Sequence, residues 1–253
     1  MNLEKSIFNR VALLTGEETI NQLKNTRIII FGLGGVGSWC AESLVRTGIG
    51  NITLVDNDIV CATNINRQLP ATTKNIGKPK IEVLKERFLE INPNAIVTTK
   101  QQVYNQETAE SFCLNEFDCI IDAIDSLKDK ALLIENACKT NAFFVSSMGA
   151  ALKSDPQKIK TAEFWNVKGC PLARALRQKF KRLKTFPVKK FTCVYSDELL
   201  ENQIVEPLED DVNKESWSKF KAQANGTFAH ITAIFGFTLA GLVVNHLVEK
   251  YSK

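Results

Sequence analysis

Apolar and polar positions along this chain fall into blocks that switch between two periods. Arg27-Ile28-Ile29-Ile30-Phe31 is a continuous apolar run, β-branched in the middle, and reads as a buried strand. Ser38 to Arg46 takes the helical period, with Trp39, Ala41, Leu44 and Val45 as inward positions, and Gly48 and Gly50 end it. Asn51 to Val55 is a second strand. Gly77-Lys78-Pro79-Lys80 then opens a helix running to about Glu90, with Pro79 placed near a helix start. Ile81, Leu84, Phe88 and Ile91 form its apolar stripe. Ala95 to Thr99 reads as a third strand, Glu107 to Leu114 as a short helix and Asp118 to Asp125 as a fourth strand. Leu127 to Lys139 reads as a helix and Phe143 to Ser147 as a fifth strand. Strands alternating with helices predict an α/β fold, Rossmann-like and doubly wound around a mainly parallel sheet.

The pattern differs at both ends. Residues 1–25 read as a helical arm, in which Arg10 is a solvated surface charge on sequence alone. From Lys153 onward Ile159 to Trp165 is a candidate strand, and Pro171 to Lys184 has helical spacing with Leu172, Leu176, Phe180 and Leu183 on one side. Glu198 to Glu215 is acidic and reads as a loop. Gly226 to Val248 is uncharged and long enough to raise a transmembrane reading. Polar residues dilute it and Gly236 and Gly241 interrupt it, so a buried or subunit-interface helix is expected and no stable membrane span. Both histidines lie there, where a hydrogen-bonded core role is commoner than catalysis. The expected division is residues 1–152 as a core with its N-terminal arm, and residues 153–253 as a basic insertion and final apolar helix packed as one unit with it.

The first strand runs into Gly32-Leu33-Gly34-Gly35-Val36-Gly37, and the second ends at Asp56-Asn57-Asp58. Strand, glycine turn, helix, strand, acid is a nucleotide-binding unit. Glycine lets the backbone approach a pyrophosphate, and the helix N-terminus offers free N–H groups and partial positive charge. Asp56 is placed to accept from a ribose hydroxyl. The unit does not name the nucleotide, since a nicotinamide dehydrogenase would show the same one. The polar stretch Ile59 to Gln68 follows a strand's carboxyl end, where ligands sit in open α/β sheets. Lys80 at a helix start would point at a phosphate, or reads as an ordinary surface lysine. Asp122 inside a buried strand requires a partner, and Asp125 faces the crevice of the glycine loop.

Composition narrows the setting. The 253 residues carry 44% hydrophobic and 24% charged residues, ordinary for a globular protein. Seven cysteines include no C-x-x-C pair, which argues against a disulfide framework and a zinc site of that type and fits a reduced cytoplasmic protein. Net charge is +4, yet Lys153 to Lys190 holds twelve Lys and Arg against Asp155 and Glu163. Such a local excess reads as a polyanion site.

Taken together, Gly32–Gly37, Asp56-x-Asp58, Asn64-x-x-Arg67-Gln68, Lys80 and Asp125 resemble the ubiquitin-activating-enzyme-like adenylating superfamily, over roughly residues 10–150. Within it the chain is most similar to the tRNA threonylcarbamoyladenosine dehydratases. Trp39 with Arg46 to Gly50, Asp122 to Ser126, Pro171-Leu172-Ala173 with its basic helix, and Phe235-Gly236-Phe237 carry that likeness. Cys170 departs from it, because an acid is expected before Pro-Leu-Ala. The resemblance implies ATP-dependent adenylation of a carboxylate on tRNA, then ring closure. It implies that Gly32, Gly34, Gly35 and Gly37 cradle phosphate, that Asp56 holds the ribose with Asp58 nearby, and that Asn64, Arg67, Gln68 and Lys80 line the ATP site. It implies that Asp125 helps hold magnesium (Mg2+) and that Arg10 reaches into the site of the other subunit of a homodimer. Arg10, Arg67, Lys80 and Asp125 are then the catalytic set, and Arg174, Arg177, Lys181 and Arg182 face tRNA. A sulfur-relay protein is a candidate partner. The alternative is an adenylyltransferase for a small sulfur-carrier protein. Many of those carry paired C-x-x-C ligands, absent here, and have no need of the basic segment.

Overall fold

A computed structural model of the chain describes residues 3–204 and 225–251. Helices α1 (Leu3–Thr15) and α2 (Glu17–Asn25) precede β1 (Arg27–Phe31), α3 (Gly37–Thr47) and β2 (Asn51–Val55). Next come α4 (Lys80–Ile91), β3 (Ile96–Lys100), β4 (Cys119–Asp122), α5 (Leu127–Ala137) and β5 (Phe143–Ser147). The remainder is β6 (Ile159–Glu163), α6 (Pro171–Leu183), β7 (Thr192–Ser196) and α7 (Ala229–Tyr251). The strands form one seven-stranded sheet in the order β3-β2-β1-β4-β5-β7-β6. All neighbours are parallel except β6 and β7, which pair antiparallel at the edge. Strand β7, which the apolar pattern does not delimit, pairs with β5, so the sheet runs across the 152/153 boundary without a break.

Continuous apolar strands demand cover on both faces. One face carries α3, α4 and α7, with Ile28, Ile30, Leu44, Leu84, Phe235 and Leu239 in a single core. The other carries α5 and α6, with Ile29, Phe31, Ile120, Leu133, Leu176 and Phe180. Helix α7 has 23 residues and is apolar enough to cross a membrane, but Ile231, Phe235, Leu239, Val243 and Leu247 are buried on this sheet. It lies so close to α3 that a Cβ on Gly236 would stand 2.8 Å from Cys40 N, so only glycine permits the approach.

Several expectations shift. Trp39 is half-buried because its indole N–H donates to Arg67 O at 3.1 Å. Ile91 is half-buried, and Leu183 at the open end of α6 is 53% exposed. Glu107–Leu114 is not an α-helix but holds a short 3-10 helix, Ala109–Phe112; a second, Leu114–Glu116, lies beyond Cys113, whose φ of 48° breaks any longer run. The fourth strand ends at Asp122, leaving Asp125 in the loop beyond. Residues 205–215 of the acidic stretch lie outside the described residues.

Candidate nucleotide site

Strand order reverses between β1 and β4, the position where ligands sit in doubly wound sheets. A cleft of about 1010 Å³ opens there at the carboxyl ends of the parallel strands. Gly32 and Gly34 line it from the turn after β1, Asp56 and Asp58 from the turn after β2, and Asp125 from the loop after β4. Asn64, Arg67, Gln68 and Lys80 close the facing wall. Residues scattered over almost a hundred positions thus meet around one space.

The turn is fixed by its own packing. Gly32 has φ +85°, and a Cβ there would stand 2.7 Å from Ala123 O. Gly35 faces Thr232 of α7, and Gly37 is buried beneath Gly32 O. Gly35 and Gly37 therefore shape the turn from behind and do not line the cleft. Asp56 accepts from Leu33 N at 2.6 Å and from Asp58 N at 2.8 Å. Burial raises its pKa; nearby Lys80 and these N–H groups oppose the rise.

Lys80 is buried, not a surface lysine, and pairs with Asp58 at 2.9 Å. Arg67 donates to Thr63 O at 2.9 Å and Asn66 Oδ1 at 2.8 Å, within its own loop. Burial lowers its pKa and the Asp125 carboxylate works against that. Asn64 Oδ1 accepts from Cys61 N at 3.1 Å. Asp125 itself is exposed at the cleft wall. Behind it, Asp122 is wholly buried and finds its partners: Lys130 at 2.8 Å, Ser146 Oγ at 2.7 Å and Ile124 N at 3.0 Å.

Among the described residues, Gln68 Oε1 and Thr227 Oγ1 are buried atoms without a hydrogen-bond partner, and both residues line this cleft. An unmet buried acceptor costs about 1–3 kcal/mol, so the pair marks a place that a polar ligand completes. Thr227 carries no local signal in the sequence. It reaches the site because Asn66 Nδ2 donates to Thr227 O at 3.2 Å. Tyr104 and Asn202 also line the cleft without a motif to announce them.

Two sets lie apart from it. Arg10 is exposed on α1 and does not line this chain's own cleft. On α6, Arg174, Lys181 and Arg182 are exposed. Arg177 is not turned freely outward: it donates to Phe164 O at 3.1 Å and its guanidinium lies over the Phe164 ring. The local charge excess is also smaller than its count. Lys153 is buried and donates to Glu198 O. Lys189 donates to Thr140 O and Ala142 O, and Lys160 pairs with Asp197. Cys170 is buried at the start of α6 and makes no capping bond, and burial pushes the Cys193 thiol well up.

The ThiF family model matches residues 8–252. The chain belongs to the ThiF family. It is 34% identical over 245 residues to the tRNA threonylcarbamoyladenosine dehydratase of Bacillus subtilis, covering 96% of this chain and 94% of that one. It also matches the crystal structure of the Escherichia coli tRNA N6-threonylcarbamoyladenosine dehydratase in complex with ATP. There the TM-score is 0.86 at 31% identity, covering 100% of this chain and 98% of that one. The molybdopterin-synthase adenylyltransferase of E. coli is 30% identical, but over only 59% of this chain and 60% of its own.

Proposed function

We propose that this ThiF-family chain is an ATP-dependent tRNA threonylcarbamoyladenosine dehydratase. It adenylates the threonyl carboxylate of the modified adenosine beside the anticodon and closes that side chain into a ring, with loss of water. The observation that carries the reading is the match across the whole chain to an enzyme of that name solved with ATP. The switch-point cleft, with its glycine turn, acids and cations, supplies the chemistry.

In the first step a carboxylate oxygen attacks the α-phosphorus of ATP, the bond to the β-phosphate breaks and pyrophosphate leaves. In the second, the substrate's own carbamoyl nitrogen attacks the activated carbon, gives up its proton and expels AMP, which keeps the carboxylate oxygen. The nucleophile is already tethered, so ring closure gains from proximity and needs no protein nucleophile. The Gly32 and Gly34 backbone and the start of α3 receive phosphate, with Gly35 and Gly37 shaping that turn. Asp56 takes the ribose, and Asp58 keeps Lys80 aimed. Asn64, Arg67, Gln68 and Lys80 meet the charge that builds during adenylation. Arginine does so as a planar fork and lysine as a point charge, and fixed cations lower that barrier.

Magnesium takes one or two carboxylates plus phosphate oxygens, which fits exposed Asp125 with a triphosphate. Among the described residues no cluster of acids, histidines or cysteines forms a metal cage. Bound there, Mg2+ would neutralise the departing pyrophosphate.

Residues 1–152 carry most of this chemistry, with Thr227 joining the cleft from the later part of the chain, and residues 153–253 bring the tRNA through Arg174, Lys181 and Arg182. A homodimer supplies Arg10 from the partner. The tRNA substrate sets the enzyme in the cytoplasm, in keeping with seven unpaired cysteines. The test is mass spectrometry of tRNA nucleosides after incubation with ATP and magnesium. A ring-closed nucleoside lighter by one water is expected, and recovery of only the linear form overturns the reading. ATP with magnesium should also raise the thermal midpoint where NAD does not.

A further inference from the structure

The chain holds an open aromatic pair at the end of the sheet away from the cleft. Trp165 follows β6 and Phe186 follows α6, with ring centroids 6.0 Å apart. They are 37% and 50% exposed. Trp165 is not a loose surface ring. It packs edge-on against Phe164 at 5.2 Å, and Phe164 is itself buried and stacked on Phe191 at 5.0 Å. Arg177 ties α6 to the same turn through Phe164 O.

Position follows from topology. β6 runs antiparallel to β7, with Glu163 beside Thr192, so Trp165 sits near the amino ends of the parallel strands. The cleft lies at their carboxyl ends. Helix α6, with 13 residues, runs roughly 20 Å between the two ends.

Charge says what the pair can meet. From Phe164 to Ser196 the sequence holds nine Lys and Arg and no Asp or Glu. Arg174, Arg177 and Lys181 share one stripe of α6 by helical spacing, and Arg177 brings that stripe to the foot of Trp165. Flat exposed rings beside cations are what unpaired RNA requires, since bases stack on aromatics while phosphates meet Lys and Arg. An anion without bases would use the cations and leave the rings bare.

We propose that Trp165 and Phe186 form a stacking platform for an unpaired base of the RNA substrate, at a nucleotide other than the one modified in the cleft. The proposal rests on the tRNA reading above. The probes are an anticodon stem-loop RNA and heparin, which is anionic but has no bases. Trp165→Ala/Phe186→Ala should weaken RNA binding by about tenfold or more. Its salt dependence, its heparin affinity and its stabilisation by ATP should stay unchanged. Trp165→Phe should keep most of the RNA affinity, because a ring remains. Phe186→Ala alone removes a half-exposed side chain and should give a several-fold loss even if the double variant folds poorly. RNA affinity left intact in the double variant or in Phe186→Ala, or an equal loss on RNA and heparin, overturns the platform. Failure of the wild-type chain to bind the stem-loop at all would instead overturn the tRNA reading on which it rests.

Discussion

Asp125 carries the sharpest single-residue test. It is exposed at the cleft wall and holds up no core, so Asp125→Ala should leave the thermal midpoint within a degree or so while ATP-dependent ring closure is lost. Turnover retained at ordinary magnesium concentrations would remove it from the mechanism. Lys130 is the opposite case. It is fully buried, pairs with Asp122 at 2.8 Å and donates to Ile124 O at 2.9 Å. Lys130→Met strands a buried carboxylate and should cost about 3–5 kcal/mol in urea denaturation. Asp122→Asn/Lys130→Met should recover most of that, since no unpaired charge is left. The double variant should still bind ATP more weakly than the wild type, because Ile124, the neighbour of Asp125, has lost its lysine anchor. Unchanged denaturation of Lys130→Met would show that water reaches the pair.

At the scale of elements, α7 is fastened to the sheet by a ring that titrates. His246 stacks on Phe143 of β5 with centroids 3.9 Å apart. Burial lowers its pKa from 6.5, and Lys250 lowers it further while Glu249 opposes. The unfolded chain therefore takes up this proton first as pH falls, so the stability His246 confers is complete above about pH 6.5 and is lost below it. The thermal midpoint should drop between pH 7.5 and 5.5, and drop less in His246→Gln; equal slopes would place the proton elsewhere. Elements of this kind were readable from period and composition. β1, β2 and β5 are apolar runs bounded by breakers, and each lies where its pattern puts it. Long-range pairing was not readable. Nothing near Arg177 says that it bonds Phe164 O, and nothing near Lys153 says that it is buried against Glu198 O. A count of charges therefore overstated the free cations of that segment. Gly32, Gly34, Asp56 and Lys80 were legible as cleft residues because each sits at a strand end or helix start that its neighbours in sequence mark. Thr227 was not, because only the folded chain carries it to the cleft.

The largest scale is the assembly. Arg10 lies outside its own chain's cleft, and the resemblance read from the sequence implies a place for it in a partner's site. Helix α1 also presents Leu13 and Leu14, which are 79% and 89% exposed, and α7 presents Phe237 at 45%. A second copy of the chain packed against these helices would cover them. If two copies pair so that each lends Arg10 to the other, every site draws residues from both chains. Arg10→Ala and Asp125→Ala homodimers should then both be inactive, and for different reasons. Mixing them, with subunit exchange verified by tagged copies, creates heterodimers with one site holding both intact residues. With statistical mixing half of all dimers are of this kind, so activity should return to about a quarter of the wild-type level per chain. Each homodimer should still take up RNA with the full salt dependence expected of phosphate contacts, because neither change touches α6. A mixture that exchanges fully and stays inactive would confine Arg10 to its own chain, and its place in the reaction would have to be given up.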